Sequence, residues 1–189
     1  MLSVVIPTHE SERALVRTLA CLVPGATAGL VQEVILADAG SSDETAAIGD
    51  VAGCRFMPVP GPLGARLSAA AASARASWLM FLRPGTVLDS GWLRATEDFL
   101  AGQAEEGRRA ATFRPASSGR RPMLQEALSL ALAALFRPLD PDRGLIVHKS
   151  LYARLGGHRA DVGDAEADLL RRIGASRVTV LRAEASSIT

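Results

Sequence analysis

The sequence predicts an α/β fold, a mostly parallel central sheet flanked by helices, and three observations carry that prediction. Apolar, β-branched runs such as Leu2 to Ile6 (LSVVI) and Glu33 to Ala37 (EVILA) read as strands buried on both faces. Each run is followed by a turn and then by a segment of helical period. That alternation persists through the first half of the chain, which favours a parallel sheet with right-handed crossovers. At 189 residues the chain suits one domain, with one half over 2–102 and a second over 103–182.

The elements follow in order. Pro7 closes the first strand, and Ser11 to Leu22 places Leu15, Leu19 and Leu22 on one helical stripe that Pro24-Gly25 ends. The second strand runs into Asp38-Ala39-Gly40-Ser41-Ser42-Asp43, where Ser41 and Glu44 have capping-box spacing and a helix should begin with free amides near Gly40 and Ser41. Arg55 to Val59 is a short strand leading to a Pro/Gly corner at residues 60–64, and Ala65 to Ala76 is a helix of small residues. Trp78 to Leu82 is the next strand, Arg83-Pro84-Gly85 stops it, and Asp89-Ser90 opens a helix that ends at Leu100 before Gly102. Strand, turn and helix in that order present chemistry at the carboxyl edge of an α/β sheet.

Arg109 to Arg114 reads as a strand, Pro115 to Pro122 as a flexible loop, and Met123 to Phe136 as an apolar helix. After the break at Pro138 to Gly144, Leu145 to Val147 is a strand, Ser150 caps a helix over Leu151 to Leu155, and Gly156-Gly157 ends it. Asp164 caps a helix reaching Ile173, and Arg177 to Leu181 is the last strand.

Composition narrows the function classes. A hydrophobic fraction of 48% and a charged fraction of 22% are ordinary for a globular protein. The formal net charge of +1 gives no pull towards nucleic acid, and none is expected as a partner. Lys149 is the one lysine among many arginines, a bias that suggests a GC-rich bacterial genome. Cys21 and Cys54 lack metal-ligand or CxxC spacing, no leader precedes the first strand, and a cytoplasmic location is expected. The most apolar stretch, Ala127 to Phe136, is too short to span a bilayer, which leaves a peripheral membrane contact open. In the helix around it, Leu124, Leu128, Ala131 and Leu135 share one stripe, which suits a core helix and leaves a homodimer face open.

Taken together, SVVIPTHESE, ILADAGSSDET, the helix from Gly64-Ala65-Arg66 to Ala76, FLRPGTVLDSGWL and RGLIVHKSLYARLGGHRADVGDAEADLLRRI are ordered as in one family. The chain resembles the family-two glycosyltransferases, in a small bacterial form, over about residues 2 to 182. The resemblance implies a GT-A, Rossmann-like nucleotide-diphospho-sugar transferase fold. Its implied activity is inverting transfer of a sugar from a nucleoside-diphosphate sugar to an acceptor, with 2–102 as the nucleotide-binding half and 103–182 as the acceptor-side half. A lipid-linked acceptor lying on the apolar helix is one alternative for that half.

The same resemblance implies site residues. Pro7 and Thr8 would offer backbone groups to a nucleobase, and Glu10 would meet base or ribose donors. Asp38 stands where an acid accepts from a pyrimidine N3–H, and Gly40 and Ser41 match the turn that follows it. Plain turn chemistry for Asp38 and a solvated acid for Glu10 remain the alternatives. Arg66 is near the place of a group facing the diphosphate, although a surface arginine is an equal reading. Glu166 falls at the general-base position, while Asp164, Glu166 and Asp168 also suit any helix N-terminus. Asp142-Arg143-Gly144 resembles an acceptor-side loop with Arg143 in place of an amide, and neither His148 nor His158 has a metal-like partner spacing.

One landmark departs from the family pattern. Related enzymes hold Mg²⁺ or Mn²⁺ with an acid-x-acid motif directly after the apolar strand, and here Arg83, Pro84 and Gly85 take those places. No metal ligand is therefore assigned. Arg83 permits three readings: direct contact with a diphosphate, a local ion pair, or a chain that keeps the fold as an inactive binding or regulatory protein.

Overall fold

A computed structural model of the chain describes residues 1–102, 108–116 and 140–187. The expected helix Met123 to Phe136, and the expected loop beyond Ala116, lie outside the described residues. Strands β1 (Leu2–Thr8), β2 (Val31–Asp38), β3 (Arg55–Pro58), β4 (Trp78–Phe81), β5 (Thr86–Leu88), β6 (Ala110–Pro115), β7 (Leu145–His148) and β8 (Val178–Ser187) form one eight-stranded sheet. Their order is β3-β2-β1-β4-β7-β6-β8-β5. Helices α1 (Glu12–Thr27), α2 (Thr45–Val51), α3 (Leu63–Ser73), α4 (Trp92–Ala101), α5 (Lys149–Arg154) and α6 (Ala165–Ile173) accompany it.

The sheet is mostly parallel. β1 pairs β2 and β4 in parallel, β2 pairs β3, and β6 pairs β8, whereas β4–β7, β6–β7 and β5–β8 are antiparallel. Period-two alternation sorts β1 between two cores: Leu2, Val4 and Ile6 join Leu15, Trp92 and Phe113, and Val5 joins Leu67, Leu79, Phe81 and Leu169. Both faces are therefore covered, which is why the first strands are apolar throughout.

Several boundaries differ from the sequence expectation, each for a local reason. β1 continues through Pro7 to Thr8. The Val5 carbonyl accepts from Leu82 on the β4 side, and the Thr8 carbonyl accepts from Ala39 on the β2 side. Pro7 is in phase with Val5, so its missing N–H falls where pairing to β4 has already ended at Phe81. Helix α1 runs through Pro24 to Thr27 instead of stopping there. Tertiary contact favours the extra turn: a Cβ on Gly25 would sit 2.4 Å from Trp92 Cη2, and Trp92 Nε1 donates to the Cys21 carbonyl at 2.9 Å. Trp92 is 1% exposed, so ending the helix early would open the surface against which its ring packs.

Other differences concern caps and a short strand. Helix α2 begins at Thr45, because Ser41 turns back to Asp38 and does not cap. His148 caps α5, its Nδ1 accepting from the Ser150 N–H at 3.2 Å, so Ser150 is not the cap. β5 was hidden within a stretch that reads as a turn, and the longer β8 gives it a partner. Asp89 serves that junction, accepting from the Gly91 and Glu184 N–H groups at 2.8 and 2.7 Å.

Candidate active site

Most of the expected site residues gather at the carboxyl edge of the parallel strands, in two clusters. The first joins the ends of β1 and β2. Asp38 is buried, and its carboxylate accepts from Thr8 Oγ1 at 2.8 Å, Ser41 Oγ at 2.6 Å, and the Gly40 and Ser41 N–H groups at 2.7 Å each. Burial by itself raises its pKa, and the donors from Ser41, Thr8 and Gly40 outweigh that and hold it below the usual carboxylate range. Four donors match the lone-pair capacity of a carboxylate. The Gly40 and Ser41 amides are therefore engaged by Asp38, which corrects the expectation that they are free.

Glu10 binds the two loops to each other. Its Oε1 accepts from the Ser42 N–H at 2.7 Å and the Ser42 hydroxyl at 3.1 Å, and its own N–H donates to Ser41 Oγ at 3.0 Å. The residue has φ of 48°, the left-handed region that side chains seldom adopt. Such strain persists only where surrounding bonds impose it, and it concentrates at functional loops. Arg66 lies beneath, its Nη1 donating to the Thr8 and Ala37 carbonyls at 3.0 and 3.1 Å, so it ties β1 to β2. Pro7 carries the strand into this loop.

The second cluster joins the turn after β4, the 3-10 turn Pro141–Arg143 and the first turn of α6. Arg83 Nε and Nη2 both donate to Glu166 Oε2, at 2.8 and 2.5 Å, and Nη1 donates to Asp142 Oδ1 at 2.6 Å. Glu166 is only 7% exposed, whereas the Arg83 side chain is 37% exposed. Burial is the largest influence on Glu166, and with the charges of Asp164 and Asp142 it raises the pKa despite the bonds and charge of Arg83. For Arg83, burial opposes the charge, but the bonds and attraction from Glu166 and Asp142 prevail and raise its pKa. One guanidinium between two carboxylates leaves the trio with a formal charge of −1.

The neighbouring acids of α6 have other tasks. Asp164 caps the helix, accepting from the Ala167 N–H at 2.9 Å, and Asp168 pairs with Arg172 at 2.7 Å. Glu166 is the acid of that turn that reaches the sheet edge. In the sequence Asp142 reads only as part of a loop, and nothing in a separation of 59 residues signals its bond to Arg83. The two clusters are tied through α3 and α6: a Cβ on Gly64 would lie 2.0 Å from the Arg159 carbonyl oxygen and 3.0 Å from Ala165 Cβ. From the other side, the Gly85 N–H donates to Thr18 Oγ1 at 2.9 Å, fixing the Arg83 turn on α1.

The corner at Arg83 does not fit a divalent cation. Mg²⁺ and Mn²⁺ require oxygen ligands, whereas here a guanidinium lies between the carboxylates a metal would need. Among the described residues, no group of three or more His, Cys, Asp or Glu is placed to hold a metal ion. No helix among them is long and apolar enough to cross a membrane.

Comparison with known proteins agrees with the architecture. The model of a family described as glycosyl transferase family 2 matches residues 3–101, more than half of the chain. Glucosyl-3-phosphoglycerate synthase from Mycobacterium tuberculosis, in complex with Mn²⁺, UDP and glucosyl-3-phosphoglycerate, superposes with TM-score 0.71 at 19% identity. That match covers 100% of this chain and 72% of the other. S. aureus TarS 1–349 gives TM-score 0.73 at 18% identity over 98% of this chain, which spans only 60% of TarS. The mycobacterial synthase in complex with UDP gives TM-score 0.68 at 21% identity, covering 95% of this chain and 69% of that one. No curated protein matches the chain by sequence. Identities this low establish a shared fold, the GT-A type.

Proposed function

The chain belongs to glycosyl transferase family 2, and from that premise we propose that it binds a nucleoside-diphosphate sugar and transfers the sugar to an acceptor hydroxyl with inversion, using Arg83 in place of a metal ion. The observation that carries this reading is the Arg83–Glu166 contact at the carboxyl edge of β4, beside the Asp38 loop. In this reading residues 2–102 receive the nucleotide and 103–182 receive the acceptor. Thr8, Glu10, Gly40 and Ser41 frame the nucleoside, Asp38 and Arg66 act by fixing that frame, and Pro7 aims β1 into it.

The chemistry is an in-line displacement. Glu166 takes the proton of the acceptor hydroxyl, the hydroxyl oxygen bonds to the anomeric carbon, and the bond from that carbon to the diphosphate oxygen breaks. The electron pair leaves on the diphosphate, and the Arg83 charge stabilises it there. The bond partners of Arg83 favour a second reading, a family member that binds a nucleotide without turnover, because Glu166 Oε2 already accepts two guanidinium N–H groups and is occupied where a proton would be taken.

Calorimetric titration with UDP, GDP and their sugars tests the binding shared by both readings. Saturable binding that disappears in Asp38→Ala is the expected result, and no binding by any of these nucleotides would remove both. Release of UDP or GDP from the bound sugar donor, followed over time, separates an enzyme from a binder.

A further inference from the structure

We propose that Glu166 and the donor diphosphate compete for the Arg83 guanidinium, so that arrival of a nucleoside diphosphate frees the carboxylate that deprotonates the acceptor. The inference rests on the transferase reading above and adds a coupling between its two halves. Nε and Nη2 of Arg83 converge on the single oxygen Oε2 of Glu166, while Nη1 is held by Asp142. Asp142 is itself anchored, its N–H donating to Asp140 Oδ1 at 3.0 Å within the 3-10 turn. Arg83 therefore has a second carboxylate contact, to the half-exposed Asp142, that can keep it at the corner when its two bonds to Glu166 are given up.

Charge makes the exchange necessary. With two carboxylates on one guanidinium, the corner offers a diphosphate no net positive charge while the trio stays closed. Contact with the diphosphate replaces one charge-assisted pair by another, and because it leaves Glu166 buried without its partner, the exchange depends on the higher charge of the diphosphate. Release also changes what Glu166 can do. Closed, the two Arg83 N–H donors restrain the rise that burial gives the Glu166 pKa; opened, that rise is unopposed, and the carboxylate binds a proton more readily still. The base would then be strongest, and its oxygen free to take the proton, when the donor is in place.

UDP titration of the wild type, Glu166→Gln, Arg83→Gln and the double variant, in EDTA, tests the competition. Glu166→Gln should tighten UDP binding about tenfold or more, the scale of one charge-assisted hydrogen bond. In the Arg83→Gln background the same change should have little effect, and loss of measurable binding in both Arg83 variants would equally show that the effect of Glu166 requires Arg83. The Arg83 Nε–H resonance, assigned by its absence in Arg83→Gln, should move when UDP saturates the wild type. Unchanged or weaker UDP affinity in Glu166→Gln, tightening of equal size without Arg83, or an Arg83 resonance indifferent to UDP would overturn the proposal. If neither the wild type nor Glu166→Gln binds UDP or GDP, the nucleotide reading itself fails, a result distinct from binding without competition.

Discussion

Removing the Arg83 guanidinium leaves Glu166, 7% exposed, as a buried carboxylate without its main partner. Breaking a buried pair from one side costs on the order of 3 kcal/mol, whereas replacing both partners is far milder. We expect Arg83→Gln to lower the free energy of urea unfolding by about that amount and Arg83→Gln/Glu166→Gln to regain most of it. Equal loss in the two variants would show that Glu166 does not depend on Arg83. A second residue carries a pH effect. Burial first, and the charge of Arg172 next, push His158 down to about 4 from the ordinary 6.5. The unfolded chain takes up a proton below 6.5 that the folded chain refuses until about 4, so stability is complete above 6.5 and falls between those values. The loss is up to about 3 kcal/mol, and His158→Phe should flatten it in unfolding measured from pH 7 to pH 4. Glu166 and Arg83 could be singled out in the sequence by position, but their bond could not, since a side chain 83 residues away is placed by the sheet and not by local spacing.

Among the elements, the contact between α3 and α6 matters most for the site. Gly64 allows the backbone at Arg159 to cross the start of α3, and the next turn of chain delivers Ala165 and Glu166. A methyl group at Gly64 meets a backbone oxygen, which cannot rotate away, and overpacking of this kind costs typically 1–3 kcal/mol. Gly64→Ala is expected to lower the melting temperature and to weaken UDP binding together, and normal UDP affinity in a destabilised variant would separate packing from site geometry. Helix and strand identity was largely legible, from β-branched apolar runs at β1 and β2, from small helix-forming residues at α3 and from the Asp164 cap at α6. What escaped were features decided across the fold: Pro24 retained within α1 by Trp92, Ser41 drawn to Asp38, and β5 formed by pairing with β8.

At the scale of the molecule, the parallel half of the sheet brings the β1 and β2 loops beside the turn after β4, and β7 and α6 complete the edge from the other half. This arrangement was readable because the first strands are buried on both faces and alternate with helices. The antiparallel pairs were less readable, since β4–β7, β6–β7 and β5–β8 join strands far apart in sequence. In the proposed reading Arg83, held by Asp142 and Glu166, stands where the family resemblance implies a metal ion. A built-in cation should make donor binding indifferent to added metal. The most direct measurement is therefore the affinity of the wild-type chain for UDP in EDTA and in Mn²⁺. We expect the two values to agree within about twofold; binding that appears only with Mn²⁺ would contradict the assignment of Arg83 to the metal's place.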